Sequence, residues 1–256
     1  MMFAEERKLK ILEFIEEHKK ATVAQLCEHF TVSSATIRND LRDLESANLL
    51  IRTHGGAMVK SKTGFELDSN QKKVRNLDKK RKIAEATINL IEDGDTVILD
   101  TGTTTIELAK LLQRKRDITV VTNDLGITLL LEDVDSVNIV FMGGIVRKHF
   151  HCTVTYGTTG KDTLSGLTVN KAFMGVNSFC MKKGATTPDI NQAETKKLMI
   201  SIATNVILLC DSTKFGNTSF AQFATLDQID TIITDSIDAK DYRKLEESGI
   251  DVIVAS

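Results

Sequence analysis

An apolar run, TVILD (96–100), ends in Asp100 and is followed by TGTTT (101–105), one glycine among four threonines. Where a strand passes into a helix through such a loop, backbone amides, hydroxyls and a carboxylate meet at one point and suit a small anion. The loop contains neither G-K-[ST] nor G-x-G-x-x-G, which disfavours a nucleotide and favours a small phosphorylated ligand. A capped turn without a ligand would have the same residues, so that alternative stays open. The candidate ligand-binding residues are Asp100, Gly102, Thr103, Thr104 and Thr105.

Polar residues also follow several apolar runs further along the chain. The carboxyl ends of parallel strands meet along one edge, where open α/β sheets bind ligands. We therefore expect these residues to converge on one crevice with the threonine loop, although each alone could be a cap or an exposed side chain. They are Thr122, Asn123, Gly143, Gly144, Arg147, Gly175, Asn177, Thr187, Glu194 and Lys214, and Lys196 stands on the same predicted helix as Glu194.

The run TVSSATIRNDLRDLESANLL (31–50) indicates a different chemistry. Ser33 can cap a helix in which Ile37, Leu41 and Leu44 form one apolar stripe. At about 100° per residue the opposite arc is basic and hydrogen-bonding, and the carboxylates fall on its flanks. Arginine can pair with guanine and asparagine with adenine, while hydroxyls in the first turn suit a phosphate. The candidate contacts to double-stranded DNA are Ser33, Ser34, Ala35, Thr36, Arg38, Asn39 and Arg42.

This helix is the third of a predicted group. Residues 5–19 predict a first helix, Thr22 can cap a short second helix, and Gly55-Gly56 predicts a hairpin within residues 49–59. A helix-turn-helix followed by a hairpin is a winged helix-turn-helix, whose wing tip would bring Arg52 and His54 to the DNA. Residues 1–60 carry nine Lys/Arg and nine Asp/Glu, so charge placement alone distinguishes DNA binding from an ordinary solvated face.

The 256-residue chain changes character twice. Residues 1–60 have no net charge, and residues 61–82 carry eight Lys/Arg against three Asp/Glu. Short Val/Ile-rich runs then alternate with helical patterns. We predict a DNA-binding domain at 1–60, a basic linker at 61–77, and a sensor and oligomerisation domain at 78–256. Strands that are buried on both faces have such runs of apolar residues without strict alternation. The predicted fold class is therefore α/β, with a doubly wound, mostly parallel sheet. The predicted strands are 96–100, 118–122, 137–142, 171–176, 206–210, 230–235 and 251–255, and the predicted helices of this part are 78–92, 104–113, 190–204 and 239–248.

The composition, 41% hydrophobic and 27% charged, is typical of a globular protein. No apolar run approaches the roughly 20 residues of a membrane helix, and the N-terminus has no signal-peptide core, so we expect a cytoplasmic chain. The four cysteines are too far apart for a metal knuckle and should stay reduced. His149 and His151, beside Cys152, are weak candidate metal ligands, and we expect neither a metal site nor a cofactor.

The run ATVAQLCEHFTVSSATIRNDLRDLESANLLIRTHGGA (21–57) resembles the N-terminal winged helix of the DeoR family of bacterial sugar-operon regulators. In that family V-S-x-x-T-[IV]-R-x-D-L-x-x-L-E recurs before H-G-G-A. The pattern stands here from Val32 to Glu45 and at 54–57. The resemblance implies sequence-specific binding to an operator.

Residues 78–235 are similar to the DeoR sensor domain, whose fold resembles ribose-5-phosphate isomerase. The shared motifs are D-x-G-T-T (100–104), V-x-T-N (120–123), G-G (143–144), T-T-P…E-x-K (186–188, 194–196) and D-S-[ST]-K-F-G (211–216). The resemblance implies that Gly102, Thr103 and Thr104 hold a phosphate, and that Asp100, Asn123, Glu194 and Lys214 face sugar hydroxyls. Many relatives have Gly-Ala-Asp where this chain has Gly175-Val176-Asn177, so the identity of the sugar stays open.

These patterns favour a transcription regulator, a repressor of a sugar-utilisation operon, that works as a homo-oligomer, dimer or tetramer. A phosphorylated sugar would change its affinity for the operator. One rival is a sugar-phosphate isomerase with an accessory head, in which Asp100, Glu194 and Lys214 could supply a base and a polarising group. Another is a DNA-binding architectural protein without a ligand, which would leave the second domain unexplained.

Overall fold

A computed structural model describes residues 3–47, 49–59, 63–64, 66–155 and 164–256. The chain divides into two compact units, Met1–Leu67 and Asp68–Ser256, here called the head and the body. Each has its own buried apolar core, as expected for units that fold around separate centres.

The head contains three helices and a three-stranded antiparallel sheet. Helices α1 (Ala4–His18), α2 (Val23–Phe30) and α3 (Ser34–Ser46) pack around Ile11, Leu26 and Ile37. Thr22 and Ser33 cap α2 and α3 as predicted. The predicted hairpin consists of β2 (Leu50–Thr53) and β3 (Gly56–Val59). Strand β1 (Lys20–Thr22), which pairs with β3, was not predicted because three residues are too few to show an alternating pattern.

The seven predicted strands of the body form a single seven-stranded sheet in which every neighbouring pair is parallel. The strands are β4 (Thr96–Leu99), β5 (Ile118–Thr122), β6 (Val137–Phe141), β9 (Val169–Gly175), β12 (Ala203–Leu209), β14 (Thr231–Thr234) and β15 (Asp251–Val254). Their order across the sheet is β15-β14-β12-β9-β4-β5-β6.

Helices cover both faces of this sheet. Ile98 belongs to one apolar cluster, and its neighbours Val97 and Leu99 belong to the other, so β4 is buried on both sides. This confirms the predicted doubly wound α/β fold. The helices are α4 (Ser69–Val74), α5 (Leu77–Ile88), α6 (Thr103–Ala109), α7 (Leu125–Leu131), α8 (Ile190–Ser201) and α9 (Ala239–Glu247), with 3-10 turns at Leu112–Arg114, Ser212–Lys214 and Leu226–Gln228.

Two small antiparallel sheets lie outside the main sheet. Strands β7 (Ile145–Arg147) and β8 (Cys152–Val154) form a hairpin, and β10 (Ser178–Cys180), β11 (Gly184–Thr187) and β13 (Ala221–Ala224) form a three-stranded sheet. Their strands were too short to predict. Residues 69–77, assigned above to the linker, contain α4, while linker residues 61, 62 and 65 lie outside the described residues. No helix in the described parts of the chain is long and apolar enough to cross a membrane.

A candidate DNA-binding face and a candidate ligand crevice

Helix α3 presents the predicted hydrogen-bonding face to solvent. The Ser33 hydroxyl accepts a hydrogen bond from the Thr36 amide at 3.2 Å and fixes the first turn. Ser34, Ala35, Arg38, Asn39 and Arg42 are all exposed, as the helical wheel predicted. The Arg42 guanidinium donates to the Asn39 side-chain oxygen at 3.4 Å, so these two side chains share one surface. Such a surface can reach base edges and phosphates in a major groove.

The three carboxylates of α3 are each paired with a cation from another element. Asp40, which the wheel placed on a flank, is buried and accepts two hydrogen bonds from the Arg7 guanidinium at 2.6 and 3.1 Å. The Lys8 ammonium lies 2.7 Å from Asp43 Oδ2, and the Arg52 guanidinium lies 3.5 Å from Glu45 Oε2. The acids of this helix are thus neutralised locally, which leaves Arg38 and Arg42 as cations of the exposed arc.

The wing brings its two predicted residues to the surface. Arg52 lies on β2 and also donates its amide to Glu45, which ties the wing to α3. His54 is exposed in the turn before β3. Gly56 is required for packing, because a Cβ there would lie 2.0 Å from the Ala21 carbonyl oxygen on β1. The second glycine of the H-G-G-A motif therefore allows β3 of the wing to pair closely with β1.

The body has a topological switch point between β4 and β9. From β4 the chain adds β5 and β6 on one side, and from β9 it adds β12, β14 and β15 on the other. Open α/β sheets bind ligands outside the carboxyl ends of the two strands where the direction reverses. Asp100 follows β4 and Gly175 ends β9, so two predicted ligand residues meet at this position.

Asp100 and Lys196 form a buried pair at the switch point. The fully buried Lys196 ammonium donates to Asp100 Oδ2 and, at 2.9 Å, to the Gly175 carbonyl. The Gly175 amide also donates to Asp100 Oδ2 at 2.9 Å. Burial raises the pKa of Asp100, and the nearby Lys196 charge opposes that shift. Asp100 Oδ1 has no hydrogen-bond partner among the described residues, and a buried acceptor in that state is costly unless a ligand supplies a donor.

A second buried acceptor stands at the end of the neighbouring strand. The Asn123 side-chain nitrogen donates to the Thr153 carbonyl at 2.7 Å, which fixes the direction of the amide. Its Oδ1 is buried and finds no donor within the part of the chain that the structure describes. Asp124, which was not predicted, caps α7 and accepts a hydrogen bond from the Thr101 hydroxyl at 2.6 Å, so the loops after β4 and β5 are joined.

The threonine loop leaves room beside these acceptors. A Cβ on Gly102 would contact only Thr105 Oγ1 at 3.4 Å, so the space beside Gly102 is largely open. Thr103 is half-buried and Thr104 is buried at the start of α6. The Thr105 hydroxyl donates to the Gly102 carbonyl at 2.8 Å. Thr105 therefore closes the first turn, and Thr103 and Thr104 are the better candidates for a ligand.

Arg147, Asn177 and Thr187 meet around a residue that the sequence did not indicate. Gln192 of α8 accepts a hydrogen bond from Arg147 at 2.7 Å and one from the Thr187 hydroxyl at 3.3 Å. Thr187 also approaches the Asn177 side-chain oxygen at 3.1 Å. Phe150 lies under the Arg147 guanidinium, 4.1 Å from ring centroid to Cζ. Three predicted residues are thus brought together on one polar network.

Several predicted residues lie elsewhere or serve the fold. Glu194 is exposed and pairs with Lys197 at 2.8 Å on the outer face of α8, so the structure does not bring it to Asp100. Thr122 donates to the Leu99 carbonyl at 2.6 Å within the sheet. Gly143 is exposed, and a Cβ on Gly144 would lie 2.2 Å from the Val154 carbonyl oxygen, so this glycine permits the β7–β8 hairpin.

Lys214 lies on the 3-10 turn that follows β12, with its ammonium 3.9 Å from Asp211. Burial alone would raise the pKa of Asp211, but Lys214, the Thr213 hydroxyl and Lys80 together lower it. About a third of the Lys214 side chain is exposed, at 34%, so it remains accessible to an anionic ligand.

The weak metal candidates are not reinforced by the structure. His149 and His151 occupy positive-φ positions in the turn between β7 and β8, and no cluster of three possible metal ligands occurs among the described residues. The four cysteines are free thiols. Burial raises the pKa of Cys152 to about 11, which disfavours a thiolate.

A winged helix-turn-helix together with an α/β body that has polar residues at its switch point is typical of a DNA-binding regulator with a ligand-sensing domain. Comparison with known families agrees. The DeoR-like helix-turn-helix domain matches residues 7–63, and the DeoR C terminal sensor domain matches residues 75–236. The chain belongs to the DeoR family of transcription regulators.

Curated relatives align over almost the whole chain. The HTH-type transcriptional regulator GlpR of Haloferax volcanii is 36% identical over 98% of both chains. The HTH-type transcriptional repressor GlcR of Bacillus subtilis is 35% identical over 99% of this chain and 97% of its own. The putative aga operon transcriptional repressor of Escherichia coli O157:H7 is 31% identical over 97% and 93%. Among solved structures, a ribose-5-phosphate isomerase in complex with phospho-erythronic acid aligns with 53% of this chain and 52% of its own, at a TM-score of 0.40 and 20% identity.

Proposed function

We propose that this protein is a cytoplasmic repressor whose affinity for its operator changes when a phosphorylated sugar binds in the crevice of the body. The observation that carries the proposal is the pair of buried acceptors, Asp100 Oδ1 and Asn123 Oδ1, which have no donor among the described residues. Two sugar hydroxyls would satisfy them, because hydroxyls donate hydrogen bonds that a phosphate dianion cannot. Two of the relatives are named as repressors, which supports repression rather than activation.

The phosphate would bind at the open end of the crevice. Gly102, Thr103 and Thr104 offer amides and hydroxyls at the start of α6, and Lys214 offers an ammonium from the turn after β12. Arg147 is a further cation on the polar network around Gln192. This division of donors and acceptors favours a ligand that is anionic at one end and polyhydroxylated along its length.

Regulation requires that the sugar phosphate bind one conformation of the protein more tightly than another. A homo-oligomer with two heads would recognise two half-sites of an operator separated by about one helical turn or a multiple of it. Arg38, Asn39 and Arg42 would read bases, the Ser33–Thr36 turn would bind phosphate, and Arg52 and His54 would contact the DNA from the wing.

We propose sensing rather than catalysis. Isomerisation needs a base free to take a proton and a second group that polarises a carbonyl. Asp100 Oδ2 is held by Lys196 and Gly175, and Glu194 lies on the outer face of α8. Incubation with ribose 5-phosphate should yield no ketose beyond the uncatalysed rate, and turnover would contradict this part of the proposal.

A thermal-shift screen tests the proposal. We expect at least one of a panel of phosphosugars to raise the melting temperature, since a ligand at 100 times its Kd adds about 2.7 kcal/mol of stability. Its unphosphorylated counterpart should have little effect. Asn123→Ala should lose the shift, whereas Glu194→Ala, a matched change on the exposed face of α8, should keep it. A panel without any response at millimolar concentration, or equal loss in both variants, would count against the crevice.

A further inference from the structure

The first residues of the body form a short segment, 68–80, here called the strap. It comprises α4, the corner at Arg75–Asn76 and the start of α5. The boundary of the head lies directly before it, between Leu67 and Asp68. Helix α4 has only six residues, none of them buried, although Asp68 and Gln71 cap it reciprocally. A helix of this length is marginal alone, so its position depends on the contacts that it makes with the rest of the body.

The amino end of the strap lies on the β7–β8 hairpin. The Ser69 amide donates to the His149 carbonyl at 3.0 Å. The Lys72 ammonium lies 5.6 Å from the centroid of the Phe150 ring, the same ring that lies under Arg147. Helix α4 also lies against α6, which carries Thr103 and Thr104. This end of the strap therefore contacts two elements that carry candidate ligand residues.

The carboxyl end of the strap is fixed to the 3-10 turn at Ser212–Lys214. Asn76, in a left-handed conformation with φ 51°, donates to Asp211 at 3.4 Å and to Thr213 at 3.3 Å. The Lys79 ammonium donates to the Ser212 hydroxyl at 2.7 Å and lies 3.3 Å from Asp235. The third element with a candidate ligand residue, Lys214, is thus joined to the strap as well.

Lys80 holds the two helices of the strap together. Its side chain is buried, and its ammonium donates to the carbonyls of Lys72 and Arg75, 2.5 Å from each. The Lys72 carbonyl also accepts a hydrogen bond from the Arg75 amide at 3.3 Å, so the end of α4, its cap residue and Lys80 share one set of hydrogen bonds. The strap therefore responds as one piece, because α4 cannot leave its place without breaking the hydrogen bonds of a buried ammonium.

We propose that the strap is the coupling element through which a ligand in the crevice acts on the head. The proposal rests on the function proposed above. A ligand that draws Thr103, Arg147 or Lys214 toward itself changes the surfaces on which the strap lies, and the strap is the covalent route to the head. Because its contacts are polar and half-exposed, a modest rearrangement is enough to shift it.

Charge-matched variants of α5 test this inference. Lys79→Ala removes a strap contact, whereas Lys82→Ala removes the same charge from an exposed position of the same helix. The full-length proteins are compared with a DNA duplex selected in vitro against the wild type, without any sugar. We expect Lys79→Ala to speed amide hydrogen exchange in residues 68–76 by about tenfold and to change DNA affinity by about fivefold or more. Asn76→Ala should behave alike, and Lys82→Ala should match the wild type.

The outcomes separate the two proposals. If Lys79→Ala and Asn76→Ala loosen the strap while DNA affinity stays equal to that of Lys82→Ala, the strap does not couple the units and the inference is overturned. Unchanged amide exchange in both variants would overturn it too, because the contacts would not hold the strap. If DNA affinity changes although no phosphosugar gives a thermal shift, the coupling inference stands and only the proposed ligand class fails.

Discussion

Arg38 and Arg42 differ from the other charged residues of α3 in their surroundings. The acids of this helix are paired with Arg7, Lys8 and Arg52, while these two arginines face solvent on the arc opposite the apolar stripe. Their role in DNA recognition therefore depends on their position, since residues 1–60 carry equal numbers of acidic and basic residues and have no excess positive charge.

We predict that Arg38→Ala and Arg42→Ala each weaken binding to the operator by about 1–3 kcal/mol, or roughly five- to 150-fold, because each removes a base or phosphate contact. Lys10→Ala, which removes an exposed cation from α1, is the matched control and should bind normally. Gel-shift titrations at physiological salt measure the difference. Equal affinities for all three variants would contradict the assignment of the face.

The buried Lys80 should make the stability of the body depend on pH. Burial, followed by the charge of Lys214, lowers its pKa to about 8 from 10.5. Below pH 8 the folded and unfolded states both carry the proton, and the folded state bears the full cost of the buried charge. Between pH 8 and 10.5 only the unfolded lysine remains protonated, so the cost disappears and stability rises with pH.

The stability of the wild type relative to Lys80→Met should therefore rise by up to about 3 kcal/mol from pH 7.5 to pH 10.5. The two carbonyls that accept from the ammonium oppose the shift, so this is an upper bound. Urea unfolding of both proteins at the two pH values measures the change. Lys82→Met, altered at an exposed lysine, should show a constant difference, and a constant difference for Lys80→Met as well would refute the buried charge.

The polar residues of the candidate ligand site could be predicted only in part from the sequence. Asp100 and Asn123 were predicted as ligand residues because each follows a clear apolar strand, and the structure places them after β4 and β5. The choice of Glu194 over Lys196 missed the helix geometry: Ala193, Lys196, Met199 and Ile200 form the buried stripe of α8, and a lysine within such a stripe indicates a buried ammonium. Gln192 gave no comparable signal, since its partners lie on distant parts of the chain.

At the scale of elements, the buried Arg7–Asp40 pair fixes α1 against α3. We predict that Asp40→Ala destabilises the head by about 3 kcal/mol, because it leaves the Arg7 guanidinium, whose side chain is 12% exposed, without its carboxylate. Asp43→Ala, three residues along the same helix, removes a carboxylate that is 58% exposed and should cost less than about 1 kcal/mol. Amide hydrogen exchange across residues 4–46 measures both effects, and similar losses would contradict the difference in burial.

Helices and strands were predicted well where their buried residues form a long apolar pattern in the sequence. The strands of the main sheet are rich in apolar residues, as in the Val-Ile-Leu run of β4, because helices cover both faces of the sheet. The strands of three or four residues in the small sheets carry too few positions for any period to show. The predicted helix at 78–92 ends at Ile88, since the following residues turn towards β4 through Gly94 at φ 86°.

For the molecule as a whole, operator binding and ligand binding should be separable by mutation. We predict that Thr103→Glu abolishes the response to a phosphosugar, because a carboxylate at the start of α6 would repel the phosphate. Its ligand-free affinity for DNA should equal that of the wild type. Thr128→Glu, a matched change at a half-buried threonine of α7, should retain the response. Gel shifts with and without the sugar measure both properties, and an unaltered response in Thr103→Glu would contradict the phosphate position.

The arrangement of the whole could not be predicted in the same detail. Alternating strands and helices indicated a parallel sheet, but the order of its strands depends on pairings between residues far apart in sequence. The meeting of Asp100 with Gly175 at the switch point therefore became visible only in the structure. The parallel sheet predicted that the strand ends converge, and the DeoR motifs added the expectation that a phosphorylated sugar binds there.

The local pairing of acids and bases in the head has a consequence for the search along a genome. Attachment to arbitrary sequences is driven by counterion release and grows with the number of cations that face the phosphates. A head with equal numbers of acids and bases, in which Arg7, Lys8, Lys10 and Arg52 already pair with carboxylates, should detach quickly from wrong sites. Few copies of the protein would then be bound to non-specific chromosomal DNA. Discrimination would come from weak non-specific binding as much as from high affinity for the operator.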